Sequence, residues 1–416
     1  MPINEMNNNS LIYLGLKLWS INKNYVNEAK SLFEKGYCKY IELYVVPGSY
    51  NEYIKLWKGL NIPFVIHAPH YREGMNLANK ANEKQNFKLV EETKKYADAL
   101  NAEIMIFHPG IAGDTEETAR QIKKINDKRV VVENKPYFAL DDNLICNGYS
   151  PHEIKRIIDY SGVGFCLDIG HAICTANAFK TDIKEYLEYF ISLNPRMFHL
   201  SDGDYSGVYD SHLHFGDGSF NINFLLSKLP EKSLVTIETI KNSSENLNDF
   251  IQDIEYIKNK CFVIKLADEN DLIDVYNLSN DTVVRNNSFN SETILFENHI
   301  KWYKNKINSL NSVFYIIRNI DQSFIGQVRF EKESNNNWII SISISDKYRG
   351  GGLGSKILKE SINKFFENHS PSKIFAYIKK NNESSLKSFS KSLFSIVSEE
   401  IINNIESYKL MYINEF

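Results

Sequence analysis

The sequence predicts a (β/α)8 barrel, or TIM barrel, followed by a smaller mixed α/β domain. The chain of 416 residues is longer than the roughly 250 to 300 residues at which a single core usually stops growing. Its composition, 43% hydrophobic and 24% charged, is that of a folded globular protein. Eight short apolar runs, each followed by a segment with helical periodicity, fill the first part of the chain, and a new pattern starts at Cys261.

The eight predicted strands lie near residues 12–19, 40–45, 63–67, 103–108, 129–133, 163–168, 197–200 and 234–238. Amphipathic segments such as 82–100 and 151–160 separate them, which indicates parallel strands joined by helical crossovers. Eight such units in about 250 residues are typical of a (β/α)8 barrel. The alternative, a doubly wound open sheet, should carry a Gly-rich turn after its first strand, and LKLWSINKN has none.

A helix over residues 244–259 is expected to close the barrel, which places the domains at 1–260 and 261–416. In the second domain we expect a strand, helices, a hairpin around Asp321, the strand WIISISIS, a Gly-rich turn and a helix. The strand KIFAYIKK and a final helix then complete the predicted domain, which makes it a mixed α/β fold.

The N-terminal segment MPINEMNNNS lacks the basic region and apolar run of a signal peptide, and no apolar stretch is long enough to span a membrane. We therefore expect a cytoplasmic protein without a membrane partner. The five cysteines are an odd number with no CxxC pair, which argues against a disulfide framework or a Cys-based zinc ribbon. Any metal would have to be held by histidines and carboxylates.

Polar side chains end the predicted barrel strands. They are His67, His108, Glu133, Asp168, His171, His199 and Glu238, and Asp210 and His212 follow the seventh strand in DSHLHFGDG. A single such residue is more often a cap than a ligand. However, the C-terminal ends of all barrel strands meet at one mouth, and burying so many titratable groups without a metal would be costly. Nitrogen and carboxylate ligands suit Zn²⁺, Mn²⁺ or Fe²⁺, so the sequence predicts a divalent metal site there.

With these residues, segment 11–258 resembles the xylose-isomerase-like barrels, which include endonuclease IV and the sugar phosphate isomerases and epimerases. The nine strand-end residues match, in order, the ligands of the trinuclear zinc site of endonuclease IV. In the isomerase and epimerase branch, the resemblance implies one ion held by Glu133, Asp168, His199 and Glu238. The two glutamates would also transfer the substrate proton, and His171 would contact substrate.

The charge balance bears on the choice between these branches. The first 260 residues hold a small excess of acidic side chains, whereas a protein that binds duplex DNA needs clustered Lys and Arg. We therefore expect a small sugar or nucleotide-sugar as the barrel's substrate and do not expect nucleic acid. The alternative is a trinuclear zinc phosphoesterase of the endonuclease IV type, in which the metals activate water.

A Gly-rich turn separates a strand from a helix in WIISISISDKYRGGGLGSKILKE. Successive backbone N–H groups at such a helix N-terminus can bind a pyrophosphate. The order matches RxxGxG of the GCN5-related N-acetyltransferases (GNAT), and the chain resembles this family over about residues 262–414. The resemblance implies that acetyl-CoA binds at Arg349, Gly350, Gly351, Gly352, Leu353 and Gly354, with Asn382 at the start of a second motif beside the CoA arm.

The second motif departs from the family pattern, because Phe389 stands where many members carry a Tyr that protonates the CoA thiolate. Glu331 and His299 are two candidates for the general base, and the sequence does not choose between them. The segment SETILFENHIKWY resembles the substrate side of acetyltransferases that act on nucleotide-linked 4-amino sugars. The leading hypothesis is a bifunctional isomerase or epimerase and N-acetyltransferase in modified amino-sugar or surface-glycan biosynthesis. A degenerate module that only binds ligand, in either domain, is the non-enzymatic alternative.

Overall fold

The computed structural model describes residues 10–140, 144–334, 337–370 and 372–413, and of Ser334 only the backbone. The expectation about a leader segment falls on residues 1–9 and so lies outside these ranges. The chain divides into two compact units between Ile257 and Lys258.

Eight parallel strands close the first unit into a barrel. Each strand pairs with the next along the chain, and the first pairs with the eighth. The strands are β1 (Ile12–Trp19), β2 (Tyr40–Tyr44), β3 (Phe64–His67), β4 (Met105–Phe107), β5 (Val130–Glu133), β6 (Gly164–Asp168), β7 (Met197–Leu200) and β8 (Ser233–Ile237). This confirms the predicted barrel, and strand bounds differ from the predicted ones by two residues at most.

Helices connect the barrel strands. They are α1 (Val26–Glu34), α2 (Tyr50–Lys58), α3 (Glu83–Ala99), α4 (Thr115–Ile125), α5 (Pro151–Ser161), α6 (Ile169–Phe179), α7 (Ile183–Ser192), α8 (Ile222–Ser227) and α9 (Asn248–Lys260). Local sequence accounts for several ends. The Ser150 side chain accepts from the Glu153 N–H and caps α5, which has Pro151 at its first position and ends before Gly162 in the left-handed region.

The barrel interior is apolar at the level away from the polar strand ends. A buried cluster there contains Tyr13, Tyr40, Val65, Ile104, Ile106, Val131, Cys166, Met197 and Leu234. All eight strands contribute to this cluster, with Ile104 at the position before β4, and these residues fill the space that barrel closure creates. The polar residues that end the same strands therefore lie above a buried apolar layer.

The second unit contains a seven-stranded sheet in the order β14-β15-β13-β12-β11-β10-β9. Its strands are β9 (Val263–Leu266), β10 (Ser312–Arg318), β11 (Phe324–Ser334), β12 (Asn337–Ile344), β13 (Lys373–Lys379), β14 (Phe394–Ile402) and β15 (Ile405–Tyr412). The helices are α10 (Leu272–Ser279), α11 (Thr282–Asn287), α12 (Phe296–Ile307), α13 (Leu353–Phe366) and α14 (Glu383–Ser390). The sheet is antiparallel except for the parallel pair β12 and β13.

The end of this unit differs from the prediction. Helix α14 is not the final element, because the hairpin of β14 and β15 follows it. Asn403 and Asn404 both have positive φ, of 51° and 63°, as a tight hairpin turn requires. Strand β14 lies at the sheet edge and is mostly exposed, so it lacks the regular apolar alternation from which a strand is predicted.

Among the described residues, no helix combines the length and apolar composition that a membrane span requires.

Candidate metal centre

The nine residues predicted as metal ligands lie together at the mouth of the barrel. His67, Glu133 and Asp168 are the last residues of β3, β5 and β6. His199 lies in β7, and the others follow their strands. Helix α6 begins directly after Asp168, whose Oδ1 accepts from the His171 N–H at 2.8 Å. Asp168 thus ends β6 and caps α6 at the same time. The cap contact through Oδ1 fixes the position of Oδ2.

Four groups of side chains place one ligand atom each within 4.8 Å of one another. The groups are His67, His108 and Glu133; His171, Asp210 and His212; Glu133, Asp168 and His171; and Glu42, His199 and Glu238. All nine predicted residues fall in these groups, and Glu133 and His171 each belong to two. The arrangement is therefore one of adjoining triads and not of a single isolated set.

Glu133 lies at the centre of this arrangement. Its Oε2 is 3.1 Å from His67 Nε2, 3.2 Å from His108 Nε2 and 3.5 Å from His199 Nδ1. Its Oε1 is 3.3 Å from His171 Nδ1. One buried carboxylate thus faces four imidazoles, and both of its oxygens are available to cations on either side.

A second triad lies around Asp210. Its Oδ2 is 2.7 Å from His212 Nε2 and 3.1 Å from His171 Nε2. The backbone of His212 is in the left-handed region, with φ of 46°, which a histidine adopts only where its surroundings hold it there.

Backbone carbonyls orient two of the imidazoles. His67 Nδ1–H donates to the Ala68 carbonyl at 2.8 Å, and His171 Nδ1–H donates to the Asn134 carbonyl at 2.9 Å. In the neutral tautomer that results, each Nε2 presents a lone pair towards a carboxylate oxygen of Glu133 or Asp210. Two electron-pair donors at this distance need a cation between them or a proton on the ring. The donor set therefore fits divalent ions.

The charge balance leads to the same conclusion. Five largely buried carboxylates meet at the mouth and two ammonium groups accompany them, namely Glu42, Glu133, Asp168, Asp210 and Glu238 with Lys17 and Lys135. With neutral imidazoles these seven side chains carry three excess negative charges, which Arg72 and Lys241 at the cavity wall offset only in part. A protein interior does not hold this charge without cations.

Without an ion, protons on the imidazoles provide the missing positive charge. Burial disfavours the charged form of His171. The neighbouring carboxylates, Asp168 foremost, outweigh the effect of burial and raise the pKa of His171 to about 10. Burial also opposes ionisation of Glu133, yet His108 and Lys135 hold the pKa of this carboxyl well below its usual range. His108 differs, because burial followed by Lys135 lowers its pKa well below the ordinary value.

The Gly-rich turn of the second unit joins β12 to α13, as predicted. Gly350 and Gly352 have φ of 80° and 75°, where only glycine is unstrained. A Cβ on Gly354 would lie 3.3 Å from both Ile344 Cδ1 and Ser388 Oγ. Gly351 precedes Gly352, and Leu353 is the buried first residue of α13.

Arg349, the first residue of the turn, is already engaged. Its Nε–H donates to the Ile344 carbonyl, and its Nη2 donates to Asp281 Oδ1, both at 2.7 Å. These bonds hold the turn against the end of β12. Asn382 caps α14, because its side-chain oxygen accepts from the Ser385 N–H at 3.2 Å.

Strands β12 and β13 pair over three residues only, from Asn337 with Lys373 to Ile339 with Phe375. Both strands continue beyond that point, to Ile344 and Lys379. Beyond the paired residues, the two strands share no ladder hydrogen bonds beside the Gly-rich turn. The backbone N–H and C=O groups on their facing edges therefore need another partner.

Neither candidate for the general base has suitable surroundings. Glu331 forms ion pairs with Lys306 and Arg329. Burial works against its charged form, but these cations still lower its pKa. His299 is 1% exposed and packs against Tyr276 and other aromatic rings, so a substrate cannot reach it. Phe389 is buried against Phe394 and supplies no hydroxyl.

Comparison with known proteins identifies both units. Residues 38–260 match the family model of the xylose isomerase-like TIM barrels. The chain belongs to this family. Residues 262–394 match the model of the GNAT acetyltransferase domain, so a GNAT domain follows the xylose isomerase-like barrel, as the sequence predicted.

Relatives match the barrel over much of their length. A protein named probable endonuclease 4 from Thermoplasma volcanium is 27% identical over an alignment of 212 residues, which covers 47% of this chain and 72% of the relative. An uncharacterised protein from Methanocaldococcus jannaschii is 24% identical over 49% of this chain and 80% of its own. Among solved structures, a D-tagatose 3-epimerase-like protein is 21% identical, with a TM-score of 0.46 over 59% of this chain and 96% of its own.

Three charged residues at the mouth of this xylose isomerase-like barrel were not anticipated: Lys17, Glu42 and Lys135. Lys17 forms an ion pair with Glu238, and Lys135 Nζ lies 3.5 Å from Glu133 Oε1. Glu42 is fully buried in β2. A signal was available for two of them, because Lys17 and Glu42 are single charges inside otherwise apolar strands, and such residues are rarely buried unless paired.

The mouth opens into a cavity of about 320 Å³. Besides the metal-centre residues, the walls contain the cations Lys17, Arg72, Lys135 and Lys241 and the apolar side chains Trp19, Tyr71, Leu140 and Ile240. Trp19, Leu140 and Ile240 are 40%, 64% and 47% exposed. A small ligand could therefore meet metal ligands at the base and cations and apolar surface at the walls.

Proposed function

We propose that the chain is a two-domain enzyme, in which a barrel that uses divalent metal ions is joined to an acetyl-CoA-dependent N-acetyltransferase. Domain bounds of 1–260 and 261–416 form part of this proposal, as does the assignment of the nine ligands. The support for the barrel comes from its adjoining ligand triads, and that for the second domain comes from its Gly-rich turn and the divergence of β12 and β13.

For the barrel, hydrolysis of a phosphoester is the reaction that the geometry supports best. The observation that carries it is the set of separate triads around Glu133 and Asp210, since one ion needs only about four ligands. Divalent ions held there would supply an activated water and neutralise charge on the phosphoryl group. The name of the Thermoplasma volcanium relative, an endonuclease 4, agrees with this chemistry.

The chain's own residues would prepare the site for such a substrate. Lys17 and Lys135 line the cavity beside the carboxylates, where their charges favour a phosphate oxygen. Glu133, whose two oxygens face different histidines, would join neighbouring triads. The excess of acidic residues in the barrel still favours a small phosphoester over duplex DNA.

Isomerisation or epimerisation of a sugar is the second candidate. It is favoured by one observation, the convergence of Glu133, Asp168 and Glu238 on His199, whose Nδ1 lies 3.5, 3.8 and 2.8 Å from their oxygens. Glu133 and Glu238 would then move the proton on carbon. Against it, buried cations outweigh burial and hold the pKa of both glutamates well below the usual range, whereas a general base works best with a pKa near the operating pH.

Asp210→Asn separates the two reactions, because Asp210 belongs to a triad that the four-residue site does not need. If the barrel is a phosphoesterase, its activity is measured on a panel of phosphomonoesters, phosphodiesters and an abasic duplex. The variant should lose about a hundredfold or more of this activity, because the triad around Asp210 loses its negative charge and no longer holds its ion. In the isomerase, exchange of the carbon-bound proton of sugars and sugar phosphates, followed by NMR, should survive. Hydrogen exchange that is present in the native protein and survives in the variant, with no phosphoester activity in the native protein, would reverse the order of the two candidates.

For the second domain, we propose that the turn from Arg349 to Gly354 binds the pyrophosphate of acetyl-CoA and that an amine is the acceptor. Gly354→Val would place side-chain atoms in a position where the first one already makes tight contacts. Calorimetric titration of the intact chain should show binding of acetyl-CoA that this variant loses. Unchanged metal content in the variant would serve as the control for an intact barrel, and equal binding by both proteins would assign the turn a structural role only.

A further inference from the structure

A buried carboxylate outside the nine ligands holds one of them in place. Glu42 is 0% exposed in β2, and its Oε2 accepts from His199 Nε2–H at 2.9 Å and from the Thr236 hydroxyl at 2.6 Å. The Tyr40 hydroxyl lies 2.9 Å from Thr236 Oγ1 and continues the network. Three strands of the barrel thus fix the direction of one imidazole.

This contact decides which nitrogen of His199 faces the ligands. Because Nε2 carries the hydrogen that Glu42 accepts, Nδ1 is left with the lone pair. Nδ1 is buried and has no hydrogen-bond partner, although Glu238 Oε1 is only 2.8 Å away. The oxygen is close but lies outside the hydrogen-bonding direction, which is the arrangement of two ligands of one ion.

We infer that Glu42 is a positioning residue, which holds His199 so that the imidazole binds a divalent ion through Nδ1. The inference rests on the proposed metal centre and adds to it a residue that binds no ion itself. Carboxylates that accept from the second nitrogen of a metal-bound histidine commonly change metal affinity by ten- to a hundredfold.

Lys17 makes the burial of Glu42 possible. Its Nζ lies 3.2 Å from Glu42 Oε1 and forms an ion pair with Glu238. The ammonium group therefore compensates the charge of the positioning carboxylate and contacts a ligand as well. Removing Glu42 alone would leave Lys17 with one partner fewer in a buried site, which is costly for reasons unrelated to His199.

The chain contains a matched pair elsewhere. Asp253 is buried and accepts from His214 Nδ1 at 2.9 Å and from the Thr239 hydroxyl at 2.6 Å. It repeats the contacts of Glu42 with a histidine and a threonine, but His214 belongs to none of the ligand groups. Asp253→Leu is consequently a control for the loss of a buried carboxylate–histidine contact that should not affect the ions.

The experiment uses the intact chain in a Lys17→Met background, so that no buried ammonium loses its partner. Two changes are compared there, Glu42→Gln, whose amide oxygen can still accept from His199, and Glu42→Leu, which cannot. Zinc is titrated against a chelator of known affinity, and the bound number is measured by elemental analysis. Histidine ¹⁵N shifts of the zinc-loaded proteins report which ring nitrogen carries the metal.

Glu42→Leu should weaken the binding of one zinc ion by ten- to a hundredfold and should move or abolish the Nδ1 signal of His199. The zinc affinity of Glu42→Gln should stay within about threefold of that of its parent. The zinc affinity of Asp253→Leu should match that of the native protein. Equal affinities for the Leu and Gln variants, or coordination of His199 through Nε2, would overturn the inference while leaving the metal centre intact. Absence of zinc from the native protein would instead overturn the proposed function and this inference with it.

Discussion

Metal ions should stabilise the barrel, and Glu133→Gln should remove most of that effect. Glu133 lies within 3.5 Å of nitrogens from four histidines, more than any other carboxylate at the mouth. The substitution keeps the size of the side chain but replaces an anionic oxygen by an amide N–H₂, which cannot bind a cation. The perturbation therefore acts on ion binding with little change in packing.

The size of the effect follows from mass action. An ion present at a hundred times its dissociation constant stabilises the native state by about 2.7 kcal/mol. For a domain of this size, each kcal/mol shifts Tm by about 2–4 °C, so the native protein should gain about 5–11 °C. If the loss of Glu133 weakens the binding of the ion about a hundredfold, the same ion concentration stabilises the native state by only about 0.4 kcal/mol. The corresponding shift in Tm is about 1–2 °C.

Differential scanning calorimetry of the intact chain, stripped by chelation and then supplied with zinc or manganese, measures this shift. Glu188→Gln is the matched control, because Glu188 is an exposed carboxylate that forms an ion pair with Lys228 and lies in none of the ligand groups. An equal metal-induced shift in Glu133→Gln and in the control would refute the role of Glu133. No shift in the native protein would refute the metal centre itself.

Two further predictions concern titration and the acetyltransferase domain. In the metal-free protein the pKa of His171 is raised to about 10, against an ordinary value of 6.5, so its stabilisation is complete below about pH 6.5 and is lost as pH rises to about 10. In calorimetry, the metal-free protein should thus melt at a lower temperature at pH 9 than at pH 7. Asp168→Asn should make Tm depend less on pH over this range. A Tm that rises from pH 7 to pH 9 would contradict a raised pKa of His171. Glu331→Gln should retain most acetyl transfer to amine acceptors, because Glu331 is held by Lys306 and Arg329; a loss of a hundredfold or more in kcat, with acetyl-CoA binding unchanged, would restore Glu331 as the base.

Much of the architecture could be predicted because its signals are local. Apolar strands alternate with amphipathic helices, and each strand of the barrel pairs with its neighbour in sequence, so chain order alone determines the topology. The convergence of the nine strand-end residues was predictable for the same reason, since closure of the barrel brings the carboxyl ends of all strands to one mouth. The last hairpin escaped prediction because β14 is an exposed edge strand, where burial imposes no alternation.

The sequence by itself determined two domains, the ligand types and the Gly-rich turn, because periodicity and residue chemistry are properties of neighbouring positions. Only the tertiary structure decided that Glu133 faces four imidazoles, that Glu42 accepts from His199 and that Arg349 is bound to Asp281. These contacts join residues that are 38, 157 and 68 positions apart in the chain, the first figure being the separation of Glu133 and His171. Their distances depend on strand register and on rotamers in a packed interior, which no local pattern records.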